Sequence, residues 1–217
     1  MKTYWINAAR ILPVALLTLA TFNAQAETDG QYELSGHLNI VGASGKPSND
    51  ILGFGVIAHR KLSDDWYLGF GLEHSPEFDV ERPNEEIGID STSETDALAT
   101  MNMFTLVAER RYPLDSQNWT GFWNLGGAIA EIDIDNAKGD VEGGGRFNIE
   151  IEADTEYVLL GGVGALQKLG EHWSARYEAT LEQHFADWKI KDNVSGKTGS
   201  YDDYTVYGLR LGLSYQF

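Results

Sequence analysis

The sequence predicts an all-β fold: an eight-stranded antiparallel transmembrane β-barrel with the topology of an up-and-down meander. Three observations predict it. Apolar residues alternate with small or polar residues along eight segments, short and long connections alternate between these segments, and aromatic residues gather near the short connections. Because successive side chains of a strand point to opposite faces, this alternation gives each strand one apolar face and one polar face.

The alternation is clearest in the last segment of the chain. Every second residue from Tyr207 to Phe217 is leucine or aromatic, whereas the residues between them include Gly208, Arg210 and Gly212. A barrel in water would bury the apolar face. Here the other face carries a charge and small residues, so we expect that face to line a crowded interior while the apolar face contacts lipid.

The eight strands are expected at about positions 31–43, 49–61, 66–79, 98–112, 118–134, 155–168, 172–188 and 201–217. The short connections are those at 62–65, 113–117 and 169–171. Long connections rich in Gly, Asp and Glu lie at 80–97, 135–154 and 189–200, and the short one at 44–48 is the exception. Short turns on one side and longer loops on the other, with an even number of strands, are typical of transmembrane barrels.

The fifth and sixth segments are apolar or glycine-rich on both faces, so alternation leaves their orientation open. We expect Trp119, Trp123, Leu125 and Ile129 to face outward. In the connection before the sixth strand, residues 147–152 alternate again. They predict that this strand continues beyond the membrane as a protruding hairpin, whose edge could recruit a partner strand.

Aromatic residues lie close to the predicted short turns. We expect them to form a girdle at one membrane–water interface, where aromatic rings are favoured. The residues of this girdle are Tyr32, Trp66, Tyr112, Trp119, Trp173 and Tyr215, with Phe217 at the chain end. A weaker group is expected at the opposite rim, formed by Phe78, Trp188, Tyr201 and Tyr204.

Residues 1–26 are expected to be a cleaved signal peptide, which leaves residues 27–217 as one barrel domain. Lys2 and Arg10 give a basic start, residues 11–20 are mostly apolar, and Ala24-Gln25-Ala26 is a small-x-small cleavage site. The apolar run is shorter than the roughly 20 residues of a transmembrane helix. The net charge of −17 argues against a nucleic-acid partner, and the lack of cysteine excludes disulfides and a lipoprotein anchor.

The final residues, Leu213-Ser214-Tyr215-Gln216-Phe217, complete a pattern that resembles the small eight-stranded outer-membrane β-barrel proteins of the OmpX, OmpW and OmpA-barrel groups. The resemblance implies the cell outer membrane, with short periplasmic turns and longer extracellular loops. It implies membrane lipid and lipopolysaccharide as surroundings, and Phe217 as the signal read by the barrel-assembly machinery. We expect a monomer without a cofactor, and no peptidoglycan-binding domain after the barrel.

Charged residues on the inward face are the first candidate site. They are His37, Glu73, Glu109, Arg176, Glu178, Glu182 and Arg210, and Arg111, His59 and His184 share the same face. Glu178 and Arg210 lie on neighbouring strands and are expected to pair. Since an unpaired charge in a narrow interior is costly, the leading interpretation is a structural network that fills the barrel. The alternative is a gate or a narrow solute path, which the inward glycines Gly53, Gly55, Gly69 and Gly71 would favour by leaving space.

The loops offer two weaker candidates. Acidic residues at 81–96 and 133–154 could bind Ca²⁺ or Mg²⁺ through carboxylate oxygens, but no spacing matches a calcium loop, and a solvated surface is the leading interpretation. Lys189, Lys191 and Lys197 are either contacts for lipopolysaccharide phosphates or ordinary loop lysines.

No catalytic group is expected. Glu73-His74-Ser75 contains suitable residue types, but adjacent strand residues point to opposite faces. The sequence therefore predicts a non-enzymatic outer-membrane protein with a structural or surface-interaction role. A narrow OmpW-like channel for small solutes is the first alternative, and a lipid-modifying enzyme is the second.

Overall fold

A computed structural model of the chain describes residues 31–44, 50–92 and 95–217. The signal peptide expected at positions 1–26 lies outside the described residues. In chain order the strands are β1 (Tyr32–Ser44), β2 (Asp50–Lys61), β3 (Trp66–Val80), β4 (Ala97–Pro113), β5 (Trp119–Ile134), β6 (Ala137–Asp140), β7 (Arg146–Ala153), β8 (Glu156–Lys168), β9 (Trp173–Phe185), β10 (Trp188–Asp192), β11 (Thr198–Tyr201) and β12 (Tyr204–Gln216). One short helix, α1 (Pro83–Glu86), lies between β3 and β4.

Eight of these strands close into an antiparallel barrel in the order β1-β12-β9-β8-β5-β4-β3-β2. This confirms the predicted eight-stranded meander. Paired residues can be followed once round the barrel, from Asn102 through His74, Phe54, Leu38, Leu211, Tyr177, Ala165 and Gly121 to Tyr112. The path returns to β4 ten residues away, at position 112 instead of 102, and such a stagger requires strands tilted by about 35–45° from the barrel axis.

The outer wall of the barrel is an exposed apolar band. Trp123, Leu125 and Ile129 are on this wall, as expected from the sequence, and leucines recur on every neighbouring strand. A band of this extent would be an aggregation hazard in water, whereas a bilayer covers it. In the described part of the chain, no helix combines the length and apolar character needed to cross a membrane.

A second, four-stranded sheet stands above the end of the barrel that carries the long loops. Its order, β11-β10-β7-β6, repeats the order of the barrel strands β12-β9-β8-β5 from which it continues. Each crossing between the two sheets takes two residues, at 135–136, 154–155, 186–187 and 202–203. We call this second sheet the loop sheet.

The loop sheet corrects the expectation of a protruding hairpin from the sixth strand alone. Four barrel strands continue beyond the band, and β7 is paired on both sides, with β6 and with β10, so it offers no free edge. It also corrects two strand bounds, since β9 ends at Phe185 and β12 begins at Tyr204. The crossings are rich in Asp and Asn, which are disfavoured inside strands and so interrupt them.

Residues 81–92, which we call the strap, lie against both outer strands of the loop sheet. Lys197 Nζ beside β11 donates a hydrogen bond to the Gly88 carbonyl at 2.5 Å. At the other edge, the Glu142 amide donates to the Asp90 carbonyl at 3.0 Å. Strap and loop sheet together form a cap on the barrel.

The hydrophobic core fills this cap and continues into the upper interior of the barrel. Its members include Ile87, Met101, Met103, Phe147, Ile149, Leu160, Trp188 and Ile190. The expected second aromatic rim is wrong, because Phe78, Trp188, Tyr201 and Tyr204 are buried in this interior. The exposed aromatic residues near the upper ends of β8, β9 and β12 are instead Tyr157, Phe185 and Tyr207. The aromatic residue type alone does not tell on which face of a sheet a side chain lies.

Candidate functional site

The inward-facing charged residues form a continuous group inside the barrel, which we call the polar column. Its described members are six carboxylates, three guanidiniums and three imidazoles, all buried. They are Glu33, Glu73, Glu109, Glu156, Glu178, Glu182, Arg111, Arg176, Arg210, His37, His59 and His184. Every inward charged residue or histidine named from the sequence lies in this column.

Sequence reasoning missed Glu33 and Glu156. Glu33 could have been found from the sequence, because it lies four residues before the inward-facing His37 on β1 and therefore points to the same face. Glu156 opens β8, a strand that is apolar or glycine-rich on both faces, so alternation gave no direction for its side chain.

At the short-turn end of the column, Arg111 joins two carboxylates. Its Nη1 lies 2.6 Å from Glu33 Oε2 and its Nε lies 2.6 Å from Glu109 Oε1. The guanidinium also stacks 3.9 Å from the centre of the Tyr67 ring. Arginine suits this position because its planar fork can bind two carboxylates and stack on an aromatic ring at once.

Arg176 is the central guanidinium of the column and is 2% exposed. Its Nη2 lies 2.5 Å from Glu109 Oε2, and its Nε lies 3.1 Å from Glu178 Oε2. The Phe122 ring covers the guanidinium at 4.0 Å. Glu109 thus links Arg111 to Arg176, and the lower half of the interior is one connected network.

Arg210 extends the network upward. Its Nη2 lies 2.8 Å from both Glu73 Oε1 and Glu182 Oε1. The sequence predicted an ion pair between Arg210 and Glu178. This is the longest of the ion pairs of Arg210, at 3.9 Å, although the two residues are register partners on β9 and β12. Glu178 is held more closely by Arg176 and by Asn124 Nδ2 at 2.6 Å, so the expected pairing is at most a secondary contact.

Each of the three histidines lies beside carboxylates of the column. His59 lies 3.7 Å from Glu33 and 3.5 Å from Glu109. The nearest carboxylate oxygen to His37 belongs to Glu73, at 3.8 Å. The six carboxylates therefore have imidazoles as well as the three guanidiniums among their neighbours.

Glu156 connects the polar column to the cap. One of its oxygens accepts a hydrogen bond from Trp188 Nε1 of the loop sheet, and the other accepts from Tyr204 Oη at 3.1 Å. His184 Nδ1 lies 2.8 Å from the same carboxylate, and its ring stacks on Tyr204 at 4.5 Å. A single buried carboxylate therefore links β8, β9, β10 and β12 at the level where the loop sheet leaves the barrel.

The turn that follows β10 is held by Asp192. Its carboxylate accepts hydrogen bonds from the Ser195 hydroxyl at 2.6 Å and from the Asn148 amide at 2.8 Å. Burial disfavours the charged form, but these hydrogen bonds outweigh it and hold the pKa of Asp192 below its usual range. The cap is thus fixed at its tip as well as at its base.

The inward glycines accommodate the column and do not leave an open path. A Cβ added at Gly55 would lie 2.7 Å from His37 Nε2, and one at Gly69 would lie 2.8 Å from the His59 ring. At Gly71 it would overlap Thr105 Oγ1. The space that these glycines create is occupied by side chains from neighbouring strands, so it gives no support to the channel.

Two adjacent glycines on β8 offer a test of this packing. A Cβ at Gly162 would lie 2.5 Å from Glu178 Oε1, whereas at Gly161 the nearest atom is 3.7 Å away. We expect Gly162→Ala to lower the free energy of unfolding by about 1–3 kcal/mol, because it displaces a buried carboxylate in a filled interior. Urea unfolding in lipid vesicles measures it. Gly161→Ala is the matched control and should be nearly neutral, and equal losses in both variants would contradict a filled interior.

The remaining sequence candidates do not assemble into a site. His74 faces outward and its Nδ1 lies 2.9 Å from Asn102 Oδ1, whereas Glu73 and Ser75 are buried in the interior. Within the residues that the structure describes, no group of three or more His, Cys, Asp or Glu side chains has an arrangement that could hold a metal ion. The acidic loop residues lie mostly on the surface of the cap.

The aromatic residues at the short-turn end lie in contact with one another. Trp173 packs edge-on against Tyr215 with ring centres 4.9 Å apart, and Tyr215 packs on Phe217 at 5.0 Å. Trp66 meets Trp123 at 5.4 Å. The Phe217 amide donates to the Tyr32 carbonyl at 2.9 Å, so the end of the chain is tied to the first barrel strand.

Comparison with known families finds one match along most of the chain. The family described as outer membrane protein beta-barrel domain matches residues 12–217. No curated protein sequence matches this chain.

Several solved structures share the fold at low sequence identity. The outer membrane protein OprG from Pseudomonas aeruginosa is 14% identical with a TM-score of 0.55, covering 89% of this chain and 98% of its own. A major outer membrane protein from Thermus thermophilus is 13% identical with a TM-score of 0.55, covering 86% and 99%. Neisserial surface protein A is 12% identical with a TM-score of 0.50, covering 88% and 100%. At these identities the likeness extends to the fold alone.

Proposed function

The chain belongs to the family of outer-membrane β-barrel domain proteins, and on this premise we propose that it is a non-enzymatic outer-membrane protein with a structural or surface-interaction role and a filled lumen. The signal peptide at 1–26 would direct its export, and Phe217 would be read by the barrel-assembly machinery. In this proposal the barrel acts as a monomeric anchor. The cap is the part that meets the cell exterior.

One observation carries the proposal: the interior is occupied over its whole length. The polar column runs through the barrel to the base of the cap, and within it Arg176 and Phe122 are buried against each other. The apolar core packs beside the upper part of the column, where Met103 is paired with Glu73, and then forms an apolar layer in the cap above the column. Since charges and apolar groups in this interior are packed against partners, a solute would have to break both the column and this layer to pass.

Conductance separates this proposal from the channel alternative. We expect the purified protein to remain silent in planar bilayers, and Glu178→Ala to remain silent too, because the apolar layer above Glu178 is unchanged. A narrow channel gated by the polar column would instead conduct, and the conductance would rise in Glu178→Ala. Swelling of protein-loaded vesicles in small sugars or amino acids gives a second measurement, with vesicles lacking protein as the control.

A further inference from the structure

His184 lies at the level where the loop sheet leaves the barrel, and both of its ring nitrogens face carboxylates. Nδ1 lies 2.8 Å from Glu156 Oε2, and Nε2 lies 3.6 Å from Glu182 Oε2. All three side chains are buried, and Nε2 has no hydrogen-bond partner among the described residues. A neutral imidazole carries only one N–H, so one of its nitrogens would turn a lone pair towards a carboxylate, whereas the protonated ring presents a donor to both.

The other polar groups around this ring come from β12 and from the loop sheet. Arg210 on β12 lies 2.8 Å from the second oxygen of Glu182, and the same guanidinium is shared with a carboxylate lower in the column. Tyr204 on β12 stacks on the ring at 4.5 Å and donates to Glu156 at 3.1 Å. Trp188 on β10 donates its indole N–H to the same carboxylate and does not titrate. The ring therefore adjoins two carboxylates and one divided guanidinium, so its surroundings carry excess negative charge.

We propose that His184 is a proton-dependent latch between barrel and cap. With its proton the ring holds Glu156 where that carboxylate receives Trp188 of the loop sheet, and without it the cap loosens. Glu156 is 1% exposed, so after loss of the ring proton it would remain as a buried anion with only neutral donors, which is costly. It opens β8 directly after the exposed crossing at 154–155, so solvent is one residue away along the chain. The carboxylate can then turn to water, and the loop sheet loses its contact at the base.

Raising the pH is the direction that releases the cap. The fastened cap binds the ring proton more tightly than the released cap, in which Glu156 has turned to water, so removing protons favours the released cap. The stabilising contribution is complete below about pH 6.5, where a solvent-exposed imidazole is also charged. It is lost as the pH rises through the range in which the fastened ring gives up its proton. The latch does not depend on whether the lumen conducts, and it therefore goes beyond the proposed function.

Two phenols close to the latch are the competing proton donors at high pH. Tyr201 of the loop sheet is set aside, because burial and the nearby carboxylates, first that of Glu86, raise the pKa of Tyr201. Tyr204 contacts both His184 and Glu156, so its proton has to be distinguished from that of the ring. The variant Tyr204→Phe does this, because it retains the stacked ring and removes the hydroxyl.

Imidazole ¹⁵N chemical shifts of the whole protein in lipid nanodiscs test the protonation state of the latch. At about pH 7.5, where an ordinary histidine is mostly neutral, we expect both nitrogens of His184 to carry protons. The signal is assigned by its absence in His184→Gln, and the exposed His172 at the short-turn end is the internal reference. A His184 ring that is neutral at this pH would overturn the proposal.

Thiol labelling measures the release of the cap. Because the sequence has no cysteine, Ile190→Cys places a single thiol in the cap core, and Thr198→Cys places one on its surface. The labelling rate of the first by a water-soluble maleimide is divided by that of the second, which removes the effect of pH on the thiol itself. We expect this ratio to rise about tenfold between about pH 7 and about pH 9, within the usual range for two coupled binding events. In the His184→Gln background the ratio should be high at both pH values.

Two further variants serve as controls for the labelling. His172→Gln removes an exposed histidine at the opposite end of the barrel and should keep the pH response, as should Tyr204→Phe. A constant ratio in the unmodified background, a full pH response in His184→Gln, or loss of the response in either control would overturn the latch. The different gel mobility of unheated and heated samples checks that each variant keeps a folded barrel. If His184→Gln does not fold, the pH response of the unmodified background still tests the proposal.

Discussion

Arg176→Met is expected to lower the free energy of unfolding by about 3–5 kcal/mol, the cost of removing one partner from a buried ion network. Methionine keeps much of the packing against Phe122 but supplies no charge. Glu109, which is fully buried, would lose its 2.5 Å partner, and Glu178 would lose its 3.1 Å partner. Both carboxylates would then remain in the interior with fewer positively charged partners. Urea unfolding in lipid vesicles measures the resulting loss of stability.

Arg110→Met is the matched control for this variant. Arg110 lies on β4 and pairs with Asp65 at 2.9 Å, but both side chains are largely exposed to solvent. An exposed pair contributes about 0–1 kcal/mol, so this variant should unfold close to the unmodified protein. The double variant Arg176→Met/Glu109→Gln should recover part of the lost stability, because it removes one of the two carboxylates left without a partner. If the effects of Arg176→Met and Glu109→Gln on the free energy of unfolding simply add, the two residues are not coupled.

The barrel wall could be predicted because its signal is local. Strand period two places Leu209, Leu211 and Leu213 on one face whatever their partners are, and the membrane requires that face to be apolar. The inward direction of Glu178 and Arg210 followed from the same period. The sequence therefore predicted most of the charged residues that enter the lumen, whereas Glu33 was overlooked and Glu156 lies on a strand without clear alternation.

The pairing inside the lumen was harder to predict, because long side chains choose partners beyond their register neighbours. Arg210 faces Glu178 in the register, yet it reaches past it to Glu73 and Glu182. The sequence did hold one usable signal. Arg176 and Glu178 stand two residues apart on the same face of one strand, as Glu109 and Arg111 do, and both pairs are in contact.

The cap could not be predicted because its strands are short and its pairings are distant. β6, β10 and β11 have only four or five residues each, too few for a clear alternation. Trp188 pairs with Ala153, far away in sequence. Alternation in such segments does not tell whether an aromatic residue faces lipid or a second core, which is why Trp188 was expected at a lipid-facing rim.

Trp188→Ala is expected to loosen the cap while the barrel stays folded. Trp188 is 0% exposed, and truncating a buried tryptophan costs about 3–5 kcal/mol through lost burial and the cavity left behind. The substitution also removes the indole donor from Glu156. We expect the stability of the barrel to fall less than that of the cap. Its hydrogen-bond ladder is closed through eight strands, and the lower part of the polar column is held by its own ion pairs.

Limited trypsin digestion and amide hydrogen exchange measure this effect. Cleavage after the exposed Lys189 and Lys191 should accelerate strongly, and amides of β7 and β10 should exchange faster, whereas those of β9 should change little. Thr198→Ala is the control, since this exposed residue is the register partner of Lys191 and its replacement leaves both the core and the two cleavage sites intact. Trp188→Phe separates the two causes, because it retains most of the buried ring volume but cannot donate to Glu156.

The meaning of faster cleavage in Trp188→Ala depends on whether the cap unfolds independently of the barrel. If the cap has its own stability, the gel mobility difference between unheated and heated samples should persist in Trp188→Ala at temperatures where its loops are already cleaved. Simultaneous loss of both signals would mean that the Glu156 contacts join cap and barrel into one cooperative unit. In that case a mutation in the cap would also weaken the barrel wall, and the cap could not vary independently of the barrel that carries it.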